Sequence, residues 1–203
     1  MSIDIFFLMI MLFLGYLLGA IPFGYVIGMV WFQKNIQNFG SGNVGATNVW
    51  RVFGAVPAIL TFLLDFFKGG AMVLLCRDLL HFSNFESLLI GFMVVIGHCY
   101  SYQLHFKGGK GVATGFGLLL ASTPFVGAVA MAIWLLVFLV SRLSSLAGLT
   151  AWTMVPILFY YFAFGDNGFG YTAFLVILAL TILIYIRHSK NILALLQGRE
   201  SGF

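Results

Sequence analysis

Charge is what this chain has least of. Asp, Glu, Lys and Arg make up 8% of its 203 residues, against 62% hydrophobic, where a soluble domain carries about 25% charged residues. That deficit excludes a soluble fold, because so few charges cannot cover so much apolar surface. Acidic residues are the scarcer sign, yet the net charge is only +4, so nucleic acid is not implied as a partner and the placement of charges matters more than their sum. Cysteine is nearly absent. Cys76 and Cys99 form no CxxC and fall in separate apolar segments, which argues against a disulfide. The histidines are scattered, with no His/Cys/carboxylate cluster at ligand spacing, so neither a metal nor any other cofactor is expected. The start, Met1-Ser2-Ile3-Asp4, lacks a basic n-region and does not read as a cleaved signal peptide. There is no internal repeat and no soluble portion, so residues 1–203 read as a single membrane-embedded domain.

What is present in abundance is long apolar runs. A membrane span needs about 20 apolar residues. Ile5 to Phe32 is uncharged and predicts a first helix, followed by a polar segment from Gln33 to Gly54. Ala55 to Cys76 is a second span containing Asp65 and Lys68, Arg77 to Ser87 a polar connection, and Leu88 to Tyr102 a third span. Val112 to Val140 is too long for one untilted helix, and Thr123-Pro124 near its middle predicts a break. Ser144 to Phe164 and Phe169 to Ile186 are the last spans, with a turn at Asp166-Asn167-Gly168 between them. Folding the long run back at Pro124 puts Lys34, Arg51, Lys107, Lys110, Arg142, Arg187, Lys190 and Arg199 on one face, as the positive-inside rule asks of a cytoplasmic face. The expected fold is therefore all-α and polytopic, with seven transmembrane helical segments, N-terminus outside and C-terminus cytoplasmic. The pair around Pro124 is short enough that tilt, local thinning or a re-entrant hairpin are alternatives.

Two glycine-rich polar loops share the basic face: Gly40 to Val49, and Phe106-Lys107-Gly108-Gly109-Lys110-Gly111-Val112-Ala113-Thr114-Gly115. Glycines let backbone N–H groups approach an anion, and a helix starting just after them adds its positive end. A phosphate cradle is one reading; basic anchors for anionic lipid headgroups are the other. Gly40-Ser41-Gly42-Asn43-Val44-Gly45 matches G-x-G-x-x-G, but no strand precedes it, and Gly109-Lys110 is followed by Gly111 rather than Ser or Thr. Both nucleotide readings fail. Ser41, Asn43, Thr47 and Asn48 offer neutral hydrogen-bonding groups beside Arg51. Asp65 and Lys68 lie three apart, hence on one helix face, and read as a structural ion pair or as a functional pair. His188 and Asn191 are also three apart, opening a short amphipathic tail. His188 alone reads as a ligand, a base or a solvated interfacial histidine. Arg142 with Ser144 and Ser145 is either a further substrate contact or a plain helix start. His81 and Glu86 are given no role.

Taken together, these residues resemble the bacterial membrane family of acyl-phosphate:glycerol-3-phosphate acyltransferases. The resemblance rests on Ser41-Gly42-Asn43-Val44-Gly45-Ala46-Thr47-Asn48 with Arg51, on Asp65 with Lys68-Gly69, and on Gly97-His98 with Phe106 to Thr114. Arg142 with Ser145-Leu146, and Arg187-His188 with Asn191-Ile192, Leu195-Leu196, Gly198 and Glu200, complete it. Val44 stands where the family usually has proline, Tyr100-Ser101 replaces a common Phe-Pro, and Leu193-Ala194 replaces a frequently basic pair.

The resemblance implies transfer of a fatty acyl group from acyl phosphate to the 1-hydroxyl of glycerol 3-phosphate. The products would be lysophosphatidic acid and phosphate, the first step of phospholipid synthesis, at the cytoplasmic face of a bacterial inner membrane. It implies catalytic roles for Ser41, Arg51, His188 and Asn191, to which the residues themselves add Lys110 as a cation that can neutralise a substrate phosphate. Asn43, Thr47, Asn48, Lys107, Gly108, Gly109, Gly111, Arg142 and Ser145 would contact substrate, and Asp65, Lys68 and Glu200 would be structural. The partners expected are the two phosphate substrates and membrane lipid, with an upstream acyl-phosphate-producing enzyme as a further candidate. The rival class is a small transporter or flippase, for which Asp65 and Lys68 at membrane depth are the best support.

Overall fold

The structure is a computed structural model, and it describes residues 4–165, 168–200 and 202. Asp166 and Asn167 of the expected turn lie outside the described residues, whose regular structure is all helical, with no strand among them. The helices are α1 (Ile5–Gly19), α2 (Phe23–Phe32), α3 (Ala46–Phe53), α4 (Ala55–Leu74), α5 (Asn84–Cys99), α6 (Val112–Ser122), α7 (Pro124–Ser141), α8 (Ser144–Phe162), α9 (Tyr171–Arg187) and α10 (Ser189–Leu196).

Among the described residues, five segments are long and apolar enough to cross a membrane: Ile5–Phe32, Ala55–Leu79, Asn84–Leu104, Pro124–Ser141 and Ser144–Phe162. α9 and α10, bent by 62° to each other, make a sixth when taken as one. α6 does not qualify. Its 11 residues cover about 17 Å, against a hydrocarbon core of about 30 Å.

The apolar run Ile5 to Phe32 is not one helix. It leaves helical geometry between Gly19 and Phe23, where Pro22 cannot continue the ladder. Two side chains take up the carbonyls at this break: Ser101 Oγ donates to Ala20 O, and Lys68 Nζ donates to Ile21 O at 2.9 Å. The expected break at Thr123-Pro124 is present, with Thr123 flanking both helices and Pro124 opening α7. α5 begins at Asn84, earlier than hydropathy suggests, because Ser83 and Glu86 form a reciprocal capping box. Glu86 thus has a structural part that the sequence reading did not give it.

Packing centres on α6, which lies against α4, α5 and α7, with Trp152 of α8 close on Gly115. α4 and α6 touch backbone to backbone: a Cβ on Gly69 would overlap Thr114 O, and one on Gly117 would overlap Phe66 O. Between α5, α6, α8 and α9 lies the main core, including Val95, Leu118, Trp152, Phe159, Ile177 and Ile184. Trp152 stacks on Phe116 with centroids 5.8 Å apart. α1 and α7 turn large apolar side chains outward, among them Phe6, Phe13, Leu136 and Val140, as helices facing hydrocarbon should.

Candidate active site

The loops after α2, α5 and α9 and the start of α8 converge on one cavity of about 110 Å³. The first loop is shaped by Asn48, buried on α3. Its Oδ1 accepts from Ser41 N at 2.9 Å, and its Nδ2 donates to Phe39 O at 3.0 Å and Asn43 O at 2.9 Å. Asn48 therefore holds Ser41 and Asn43 in place, and its amide is already engaged. Thr47 Oγ1 meets Ser144 Oγ at 2.9 Å, pinning this loop to α8. Arg51, in the last turn of α3, lines the cavity and reaches Gly202 O with Nη2 at 3.5 Å.

The glycine-lysine loop does not present all its N–H groups to an anion. Gly108 N donates to Cys99 O at 3.2 Å and Gly109 N to His98 O at 2.9 Å, so both cap the last carbonyls of α5. Their carbonyls are held by Arg187, at 2.8 Å for Gly108 and 3.1 Å for Gly109, while its guanidinium lies over the Tyr100 ring. Gly109 is needed for closeness: a Cβ there would overlap His98 Nε2. Gly111 has φ of +87° and starts α6. The donors left for an anion are those of the first turn of α6, where Gly111, Val112 and Ala113 line the cavity.

Lys110 carries the loop's chemistry. Its Nζ donates to Asn191 Oδ1 at 2.6 Å, and Asn191 Nδ2 donates to Glu200 at 2.8 and 3.0 Å. Burial lowers the Lys110 pKa to about 8, with Glu200 opposing the shift and Arg51 and Arg187 adding to it. Its environment is thus short of negative charge, a deficit that a bound phosphate would fill.

His188 sits just past α9, 2% exposed. Its Nδ1 lies 2.8 Å from Ile184 O, and a carbonyl can only accept, so Nδ1 carries the proton and Nε2 is left as an acceptor. Burial, then the Lys110 charge, lowers its pKa to about 4. The histidine is neutral at physiological pH and oriented by backbone, not by a carboxylate.

Ser41, Asn43, Thr47, Asn48, Arg51, Lys110, Gly111, Ser145, His188 and Asn191 all line this cavity. Ser145 Oγ, buried on α8, has no hydrogen-bond partner. Lys107 and Gly108 instead line an outer basin of about 730 Å³ that shares Ser41, Asn43, Lys110 and Asn191 with the inner one. Gly109 and Arg142 line neither; Arg142 is exposed and caps the end of α7 in the left-handed conformation. Glu200 acts on the site through Asn191. Asp65 and Lys68 form an ion pair of 2.7 Å inside the bundle. The sequence reading assigned no role to His98, which lines the cavity with Asp65, or to Arg187, which clamps the glycines. Both stood inside the quoted motifs, and only their non-local partners reveal what they do. The rest of the lining includes the apolar Phe62, Val112, Phe116 and Trp134.

A buried lysine, an arginine, a neutral histidine and a helix N-terminus thus meet around one partly apolar cavity, an arrangement suited to an anionic ligand. The comparisons narrow this. The family model described as glycerol-3-phosphate acyltransferase matches residues 9–198, and the chain belongs to that family. A glycerol-3-phosphate acyltransferase of Lactiplantibacillus plantarum is 39% identical over 196 residues, covering 96% of this chain and 91% of the relative. One of Dinoroseobacter shibae is 43% identical over 187 residues, covering 92% and 88%. The crystal structure of PlsY (YgiH), an integral membrane glycerol 3-phosphate acyltransferase, in its glycerol 3-phosphate form, superposes with TM-score 0.88 at 36% identity, covering 97% of this chain and 95% of that one. Its lysophosphatidic acid form gives 0.84 over the same shares.

Proposed function

We propose that this chain transfers a fatty acyl group from acyl phosphate to the 1-hydroxyl of glycerol 3-phosphate in the inner cavity, at the cytoplasmic face of the bacterial inner membrane. The observation that carries the proposal is the meeting of Ser41, Arg51, Lys110, His188 and Asn191 at a cavity that Phe62, Phe116 and Trp134 also line. The polar groups suit phosphate; the apolar ones suit an acyl chain.

Acyl phosphate is already activated, so no covalent enzyme intermediate is required. The glycerol oxygen attacks the acyl carbon, the bond from that carbon to the phosphate oxygen breaks, and phosphate leaves. The site supplies orientation and stabilises charge on the carbonyl oxygen and the departing phosphate. Lys110, Arg51, Ser41 and the first-turn amides of α6 are placed for this. With its pKa near 4, His188 is a weak base but a good hydrogen-bond acceptor. We assign it to aligning the hydroxyl, and a substrate phosphate oxygen, with second pKa about 6, to taking the proton. His98, His105 and His188 are followed five residues later by Gln103, Lys110 and Leu193, so the His-to-Asp signature common among acyl-CoA acyltransferases is absent, which favours acyl phosphate as donor. The Asp65–Lys68 pair has its charges satisfied within the bundle, which removes the main support for a transporter. Purified protein should release phosphate from acyl phosphate only when glycerol 3-phosphate is present, and should form no lysophosphatidic acid from acyl-CoA. Product from acyl-CoA alone would overturn the donor assignment.

The same arrangement supports seven crossings. The start of α6 lines the cavity, while its last turn meets the far end of the α4 segment, where Arg77 Nη1 donates to Ala121 O at 2.6 Å.

A further inference from the structure

Asp65, Lys68 and His98 are buried in the helical bundle, and the proposed chemistry uses none of them. Buried ionisable groups are costly within a membrane, so their arrangement asks for a reason. Lys68 bonds Asp65 at 2.7 Å and the Ile21 carbonyl at 2.9 Å. Asp65 Oδ1 lies 3.4 Å from His98 Nδ1 without hydrogen-bond geometry, so the carboxylate holds the ring by close packing and charge. His98 in turn holds Gly109 twice: its carbonyl accepts the Gly109 N–H at 2.9 Å, and its ring lies directly against the Gly109 Cα, leaving no room for a methyl. Arg187 holds the Gly109 carbonyl from the α9 side at 3.1 Å. Gly109 is thus gripped between α5 and α9, and the next residue is Lys110.

We propose that Asp65, Lys68 and His98 are a positioning unit for Lys110: Lys68 fixes Asp65, Asp65 fixes the His98 ring, and the ring sets the height of Gly109 and so the aim of the lysine. None of the three touches the reacting atoms in this account. The unit also ties the glycine loop to the α1–α2 break through Ile21. The proposal rests on the acyl-transfer reading above. It explains why Gly109, which lines neither cavity, must be glycine.

The test is a cycle on purified full-length protein, assayed for lysophosphatidic acid from acyl phosphate and glycerol 3-phosphate from neutral to alkaline pH. His98→Ala should lower kcat by about ten- to a hundredfold, the scale of a misplacement near 1 Å, with a smaller change in KM for glycerol 3-phosphate. The alkaline limb of the rate profile should move as well, because Lys110 would shift relative to Asn191, Glu200, Arg51, Arg187 and His188. A role confined to stability would leave the limb where it is. Gly109→Ala alone should lower kcat similarly, yet cost little further in the His98→Ala background, where the methyl has space. His98→Gln should recover part of the loss. Should His98→Ala not survive purification, Asp65→Asn carries the same expectation for kcat and limb. Wild-type turnover in the same assay tests the acyl-transfer reading separately, so its absence strikes that reading first. With an active wild type, kcat of His98→Ala or Asp65→Asn within about twofold and an unmoved limb would overturn the positioning role, as would full additivity of His98→Ala with Gly109→Ala.

Discussion

Lys110 and His188 are the residues whose chemistry the fold changes most. Lys110 is charged below its pKa of about 8 and loses its proton as pH rises through that value. If its charge stabilises the departing phosphate, kcat/KM should fall on the alkaline side near pH 8. The limb in kcat should lie higher, because bound phosphates favour the charged form. Steady-state rates across pH at limiting and saturating glycerol 3-phosphate check this. His188 has the opposite consequence for stability. Its folded pKa, about 4, lies below the ordinary 6.5, so its contribution is fully present above 6.5 and is lost as pH falls towards 4. The loss is on the order of 3 kcal/mol. His188→Gln should flatten the decline of Tm with acidification relative to wild type in the same detergent. Residue types and order announced both groups in the sequence. What the sequence did not disclose was who partners whom. Asn48 was expected at the substrate and is engaged in shaping the Ser41 loop. Gly108 and Gly109 were expected to offer amides to phosphate, and their N–H groups instead cap the last carbonyls of α5. Such partnerships join positions far apart in the chain, and spacing cannot reveal them.

At the scale of elements, the site depends on a short helix held close to a long one. α6 starts at the cavity, and its approach to α4 is possible because Gly69 and Gly117 carry no side chain. Gly117→Leu should destabilise the protein by about 1–3 kcal/mol or more through overpacking and depress activity by moving the N-terminus of α6. A thermal melt alongside the rate checks both effects. Ser83→Ala, which removes the capping box of α5 at the far end, should cost about 1 kcal/mol and leave kcat unchanged. The Pro124 break was legible because proline and a length beyond one helix coincided. The break at Pro22 was missed, although Ile5–Phe32, at 28 residues, is about as long as the run broken at Pro124 and carries its own proline; its unbroken apolar character reads as one helix. α3 was read as polar loop because its eight residues carry no long apolar stretch; what makes it a helix is packing of Val49 and Asn48 inward. Ser101 departs from the family's usual proline, and its hydroxyl caps the Ala20 carbonyl at the Pro22 break, a donation proline cannot make.

At the scale of the whole molecule, composition alone gave a membrane protein; the gathering of its cations on one face was an expectation from folding the long run back at Pro124. The structure brings the loops carrying Ser41, Lys110 and His188 to one cavity. The count of spans is less direct, because α6 is too short to be recognised by length and hydropathy. Seven crossings predict that Lys190→Cys reacts with an impermeant thiol reagent only from the cytoplasmic side and Phe125→Cys only from outside. Reaction of both from one side would contradict the paired short segments. The central claim is that this cavity, through Lys110, transfers the acyl group. Its most direct measurement is lysophosphatidic acid formation from acyl phosphate and glycerol 3-phosphate by purified wild type and Lys110→Ala, compared at equal Tm. The account predicts an active wild type and a kcat/KM lower by about a hundredfold or more in the variant. An inactive wild type, or a variant within about tenfold of it, would contradict the account.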